Sequence, residues 1–364
     1  MNITFIMPNP GMSGGDRVCA IYAKQLADKG HIVHVFAPKK SSITLKQQFK
    51  RLIKGLGWLS HKVETLNHFI LMGVKVSYLE REEIINSHGL PNADVVIATW
   101  WETAEWVNNF PSTKGIKIYF IQHLETHDYL PKERVENTYK MRFYFITIAH
   151  WLIDILQNKF KAKHISLVPN SVSHDTFFAA PRTKQSIPTI GFLYSDAKFK
   201  GIDTALKVIG QIKDKIPQLR VLCFGISEPK GAFFPAFIEL YINPEQDSIR
   251  NIYAQCDAWL CCSQSEGFGL TILEAMACRT PAVSTKCGGP EDFVLDGKNG
   301  FLCEVNDVNS LTNAALQLLQ SSEEQWLAFS NAALATATRT NWQDSTNLFE
   351  QALINAVQDF SVHE

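Results

Sequence analysis

The sequence predicts an α/β protein made of two doubly wound domains. Its first 36 residues read strand, glycine turn, helix, strand, which is how a doubly wound sheet begins. A second strand, glycine loop and helix follow one another between residues 258 and 277. At 364 residues the chain exceeds what one hydrophobic core usually supports.

Composition narrows the class. A hydrophobic share of 46% and a charged share of 20% are ordinary for a soluble globular protein. The net charge of −1 gives no general attraction to nucleic acid, and none is expected as a partner. The eight cysteines, Cys19, Cys223, Cys256, Cys261, Cys262, Cys278, Cys287 and Cys303, include no CxxC pair and mostly sit in apolar runs. There Cys acts as a small hydrophobe, which fits a reduced, cytoplasmic compartment. The chain opens directly into a strand with no signal-like core, and no apolar stretch approaches the length of a membrane span.

Along the chain, Ile3 to Met7 is the first strand, ended by Pro8-Asn9-Pro10-Gly11. Ser13-Gly14-Gly15-Asp16 leads into a helix with Val18, Ile21, Tyr22 and Leu26 on one face and Gly30 as its stop. Ile32 to Phe36 is the next strand. Gly14 and Gly15 let a ligand approach the backbone, or simply make a tight turn. The Gly-x-Gly-x-x-Gly dinucleotide fingerprint is absent, which argues against an NAD-dependent oxidoreductase.

Residues 43–59 place Leu45, Phe49, Leu52, Ile53 and Leu56 on one helical face, Lys46, Lys50, Arg51 and Lys54 elsewhere, and Trp58 just beyond. Such a helix either packs on its own domain or lies on an anionic membrane surface, which would put the protein at the inner face of the membrane.

Asp94 to Ala98 and Ile116 to Ile121 are further strands, the second ending in Gln122-His123. Ligands of open α/β sheets gather at carboxyl ends of strands, so His123 is placed for a site, with His127 a weaker candidate. Phe143 to Ile148, a helix from Ala149, and His164 to Asn170 close the first domain, and Ser171 to Ser186 reads as the linker.

The second domain starts with the strand Thr189 to Tyr194, then Lys198-Phe199-Lys200-Gly201 before a helix. Arg220 to Gly225 is its next strand, and Pro281 to Thr285 follows the Glu274 helix. Helices around 308–320 and 323–338 complete the domain, and Trp342 to Val357 forms the last helix.

The most informative stretch is Ser263 to Ala277. The apolar strand Ala258 to Cys262 breaks into the turn holding Glu266-Gly267-Phe268-Gly269, and Leu270, Leu273 and Ala277 then recur at helical spacing. Loop and first-turn N–H groups, reinforced by the helix dipole, favour an anion. Glu266 and Glu274 flank that place eight residues apart, and carboxylates accept hydrogen bonds from hydroxyls. A nucleoside diphosphate sugar is such a ligand: ribose, diphosphate, hexose.

The Glu-x7-Glu spacing, with Gly-Phe-Gly-Leu after the first Glu and Glu-Ala-Met-Ala at the second, resembles the donor-site signature of the retaining glycosyltransferases of family 4, within glycosyl transferases group 1. The resemblance implies the GT-B fold, two Rossmann-like doubly wound parallel-sheet domains facing a central cleft. It implies an N-terminal acceptor domain at 1–172, a nucleotide-sugar domain at 187–340 and a helix at 341–364 that crosses back to the first domain. Carried over, Glu266 lies by the donor sugar and phosphate, and Glu274 holds the ribose. Lys200, in the family's Lys-Gly pattern, neutralises the diphosphate with the Gly267, Phe268, Gly269 and Leu270 segment. Gly14-Gly15 faces donor phosphate and acceptor, and His123 contacts donor sugar or acceptor hydroxyl.

One position departs from the family. Its usual Arg after the strand glycine is here Phe192, so either Lys198, on the same side of an extended segment as Lys200, supplies the second cation or Lys200 and the helix dipole serve alone. The implied activity is transfer of a hexose, with retention, to a glycan, lipid-linked or polysaccharide acceptor, as in cell-surface polysaccharide biosynthesis. No metal-ligand cluster is visible, and neither a metal nor a cofactor is expected. The rival readings are a sugar-nucleotide epimerase of the same fold and a catalytically silent sugar-nucleotide-binding partner, which the missing Arg favours.

Overall fold

The structure is a computed structural model and describes residues 1–39, 66–125, 129–229 and 234–361. The amphipathic stretch 43–59 and His127 lie outside them.

Among the described residues, the first sheet has seven strands: β1 Asn2–Ile6, β2 Ile32–Pro38, β3 Val76–Leu79, β4 Val95–Ala98, β5 Ile116–Ile121, β6 Tyr144–Thr147 and β7 Ile165–Leu167. Their order is β3-β2-β1-β4-β5-β6-β7. The second sheet has six: β8 Thr189–Leu193, β9 Arg220–Gly225, β10 Ile238–Ile242, β11 Ala258–Cys261, β12 Ala282–Thr285 and β13 Gly300–Cys303, ordered β10-β9-β8-β11-β12-β13. All five pairings of the second sheet are parallel, as are those joining β3 through β5 in the first. Each order reverses direction once, between β1 and β4 and between β8 and β11, and open α/β sheets bind ligands at such switch points.

The chain forms two compact units. One comprises Met1–Ile146, Leu156–Ser166 and Thr346–Glu364, the other Thr147–Ile155 and Leu167–Ser345. Parallel strands are covered on both faces, which is why Ile3, Phe5 and Ile6 of β1 and Val221 and Leu222 of β9 are all fully buried.

The helix Gly14–Asp28 begins where the Ser13 hydroxyl accepts the Asp16 N–H at 3.1 Å. It buries Val18, Cys19, Tyr22 and Leu26, and Ile21 of the expected face is only half-buried. From Thr346 on, the helix Trp342–Ser361 belongs to the first unit, where Phe349 stacks on Tyr22 at 4.3 Å and meets Phe120 edge-on at 5.1 Å. In the second unit, the helices Ile202–Lys215 and Val308–Gln320 cover the sheet through Val208, Ile209, Ile212, Leu311 and Leu318.

Three strands went unread in the sequence, β3, β10 and β13. All three are sheet edges with partly solvated side chains, so none carries the continuous buried apolar run that marks a central parallel strand.

Candidate active site

At the switch point of the second sheet, two loops leave neighbouring strands. One follows β8 through residues 194–201, the other follows β11 through 262–269. They touch backbone to backbone: the Gln264 N–H donates to the Phe199 carbonyl at 2.7 Å. Gly201 has φ +67°, and a Cβ there would lie 1.9 Å from the Cys262 carbonyl oxygen. Only glycine allows so close an approach.

This approach brings Lys200 to Glu266. The ammonium lies 2.7 Å from one carboxylate oxygen and 2.8 Å from the other. The Ser263 hydroxyl, on the same loop as the acid, donates to Oε1 at 2.6 Å. The lysine side chain is 26% exposed and the glutamate 12%, so the pair is sheltered yet reachable from solvent. Burial by itself would lower the Lys200 pKa, but the charge and hydrogen bonds of Glu266 outweigh it and hold the ammonium above its ordinary value. A small cavity beside the pair is lined by Lys200, Ser263, Glu266, Thr271 and Phe192.

The helix Leu270–Ala277 starts at Gly269, whose φ of +94° turns the loop sharply into the first helical residue. First-turn N–H groups have no partner within a helix, and with the helix dipole they make this end favourable to negative charge. The turn before it is framed by the Trp151 indole, which donates to the Gly267 carbonyl at 3.0 Å. Phe268 is buried against Phe293, with ring centroids 5.3 Å apart, so its side chain anchors the turn and only its backbone faces the site. Glu274, one turn further along the helix, is 4% exposed and accepts the Tyr253 hydroxyl at 2.9 Å.

Lys198 needs a correction. Residues 198–200 form a 3-10 helix rather than an extended segment, and at three residues per turn positions two apart point in different directions. Lys198 is exposed and does not stand beside Lys200 on a common face. Phe192, where the resembled family has Arg, is 1% exposed and part of the core of the second unit.

In the first unit, Gly14 and Gly15 are the first two helical residues beyond β1. The Gln122 side-chain amide, at the end of β5, donates to the Gly15 carbonyl at 3.1 Å and so covers that turn. His123 Nδ1 lies 2.9 Å from the Leu124 carbonyl, which can only accept, so Nδ1 carries a proton. Among the described residues, no group of three or more His, Cys, Asp or Glu is close enough to hold a metal ion, and no helix is long and apolar enough to cross a membrane.

Ser263, Tyr253, Trp151 and Gln122 had no role in the sequence reading. Ser263 stands inside the diagnostic stretch, and its place three residues before Glu266 was the available signal. Tyr253 and Trp151 lie 21 and 116 residues from the groups they bond, so no local pattern reports them.

Residues 174–334 match the family model described as glycosyl transferases group 1. An N-acetyl-alpha-D-glucosaminyl L-malate synthase of Bacillus anthracis is 40% identical over 79 residues, 22% of this chain and 21% of that protein. An uncharacterized glycosyltransferase of Haemophilus influenzae is 30% identical over 195 residues, covering 51% of this chain and 54% of that one. The chain thus spans between about a fifth and about half the length of these curated relatives. Among solved structures, sucrose-phosphate synthase from Thermosynechococcus elongatus superposes with a TM-score of 0.76 at 16% identity, covering 100% of both chains. Anabaena HepE in complex with UDP and glucose gives 0.73 at 16% identity over 98% of this chain and 100% of that one. The fold is GT-B.

Proposed function

With residues 174–334 placed in glycosyl transferases group 1, we propose that the protein is a retaining glycosyltransferase that moves a hexose from a nucleoside diphosphate sugar to a glycan, lipid-linked or polysaccharide acceptor. The observation that carries this reading is the Lys200–Glu266 pair at the switch point, beside the amino end of the Leu270–Ala277 helix.

An ammonium has three donors, and two positions of Lys200 are met by Glu266. The third serves a phosphate oxygen of the donor, joined by the backbone amides of Gly267, Phe268, Gly269 and Leu270. Glu266 then accepts a sugar hydroxyl, and Glu274 the ribose hydroxyls. In the first unit, Gly14 and Gly15 face the donor phosphate and the acceptor, and His123 contacts the donor sugar or the acceptor hydroxyl.

The acceptor hydroxyl oxygen attacks the anomeric carbon from the face the leaving group departs. The bond from that carbon to the diphosphate oxygen breaks, and the departing phosphate takes the hydroxyl proton. Lys200 and the helix end stabilise the charge that develops there, which in this reading requires no metal. Support comes from the family match, from the fold, and from the UDP and glucose held by the Anabaena relative of the same fold.

The test is a thermal-shift series with UDP-, GDP-, ADP- and dTDP-glucose, followed by product analysis with and without acceptor. A donor that binds only the folded state raises the unfolding midpoint. Stabilisation by one donor, and products that need the acceptor, are expected. Release of nucleotide without acceptor would indicate an epimerase, binding without turnover a silent partner, and either would overturn the proposal.

A further inference from the structure

We propose that the amino end of the first sheet carries a second ligand site, a basic cavity that takes a phosphate-bearing molecule. A cavity of about 310 Å³ opens where β6 and β7 begin, and Lys140, Arg142, Lys161, Lys163 and His164 line it. A neighbouring cavity of about 460 Å³, lined also by Lys117, shares Arg142 and Phe360 with it, so the two form one groove. The groove lies at the opposite end of the strands from Gly14, Gly15 and His123.

Its charge is net positive. Asp359, which lines the first cavity, pairs with His164 at 3.4 Å, and Asp94, which lines the second, accepts the Asn2 N–H at 2.6 Å; these two acids face Lys117, Lys140, Arg142, Lys161 and Lys163, while Glu136 pairs with Lys159 at 2.8 Å. Lys140 bonds the neutral Asn137 at 3.2 Å, and among the described residues none of Lys140, Arg142, Lys161 and Lys163 pairs with a carboxylate. Like charges gathered on a concave wall raise the local potential for anions, although the whole chain carries only −1.

Shape adds selectivity. The Arg142 guanidinium lies 5.5 Å over the Phe360 ring, a stacking contact that limits the motion of its plane beside the groove. A planar fork flanked by flexible ammonium groups suits a phosphate, whose several oxygens accept from more than one donor at once. The phosphate belongs either to a phospholipid headgroup or to a soluble ligand, and the groove reads the same chemistry in both.

The experiment uses the full chain with two probes: inorganic pyrophosphate by calorimetry, and co-sedimentation with phosphatidylglycerol vesicles against phosphatidylcholine vesicles. Arg142→Glu/Lys163→Glu is compared with Lys75→Glu/Lys207→Glu, an equal charge change at exposed lysines away from the groove. Binding of pyrophosphate at Lys200 contributes equally to both, so their difference reads the groove. The expected result is a loss of about 10-fold or more in the first variant and little change in the second. Retention on vesicles alone assigns the phosphate to a lipid headgroup, and pyrophosphate binding alone to a soluble ligand. Should the first variant unfold early, Arg142→Gln/Lys163→Gln replaces it. No binding of either probe, or equal loss in both charge variants, would overturn the site.

Discussion

Lys200 and Glu266 are 66 residues apart in sequence, yet the ammonium bridges both carboxylate oxygens at 2.7 and 2.8 Å. The pair joins the loops of adjacent strands at the one place where the second sheet reverses direction. Replacing either partner removes charge from the place where the leaving diphosphate would gain it. Lys200→Ala is expected to lower kcat by about 100- to 1000-fold, the scale for losing one preorganised donor. Glu266→Gln keeps the shape and should also lower turnover strongly. Steady-state kinetics with the donor found by thermal shift checks both, and near-normal turnover in Glu266→Gln would remove that residue from the site.

Gly201 and Gly210 give opposite expectations for the same change. Gly201→Ala puts a methyl 1.9 Å from the Cys262 oxygen at φ +67°, so it forces the two loops apart. The left-handed backbone alone is worth about 1–3 kcal/mol of strain, and the collision adds to it. Gly210 sits within the Ile202–Lys215 helix with no atom near its missing Cβ, so Gly210→Ala should stabilise by about 0.5–1 kcal/mol. Urea unfolding of both variants beside the parent measures the contrast.

Tyr253→Phe deletes the hydroxyl that donates to the buried Glu274 at 2.9 Å while keeping the ring that packs edge-on to Trp259 at 4.6 Å. Glu274, 4% exposed, loses one donor, which is expected to cost about 1–3 kcal/mol of stability. If Glu274 reads the ribose, the donor KM should rise more than kcat falls. Comparing the two parameters separates ribose binding from a purely structural role.

Glu125 provides a pH test. It is 5% exposed, and its Oε2 accepts the Trp101 N–H at 2.9 Å and the Tyr119 hydroxyl at 3.4 Å, while its own N–H donates to the Tyr139 oxygen. Burial pushes its pKa well above the usual carboxylate range, and the hydrogen bonds from Trp101 and Tyr119 pull less strongly the other way. A raised folded-state pKa means the folded chain holds the proton more tightly than the unfolded one. That contribution is full below the unfolded value of about 4.3 and is lost as pH rises through the folded value. Glu125→Gln does not titrate, so its unfolding midpoint should gain on the parent as pH rises. Glu125→Ala should lose about 1–3 kcal/mol at any pH, because two buried donors lose their acceptor. Thermal unfolding across the pH range decides the sign.

Much of this protein was legible in its residues. Central parallel strands are buried on both faces and must be continuously apolar, so runs such as Ile3 to Ile6 and Ala258 to Cys261 announce themselves. The Gly267-Phe268-Gly269 turn and the two carboxylates eight residues apart are local in the chain, and a local pattern is what a sequence displays. The partly solvated edge strands β3, β10 and β13 had no comparable signal.

The sequence by itself determined the fold class and the strand-loop-helix unit around Glu266, because each depends on periodicity or on neighbours in the chain, and it pointed to Lys200 through the Lys-Gly pattern of the resembled family. The tertiary structure alone decided that Lys200 meets Glu266, that Tyr253 and Trp151 complete their surroundings, and that Lys198 turns elsewhere. Those facts depend on which strands pair and how closely two loops approach. Contacts between residues tens of positions apart arise only when the sheet is assembled.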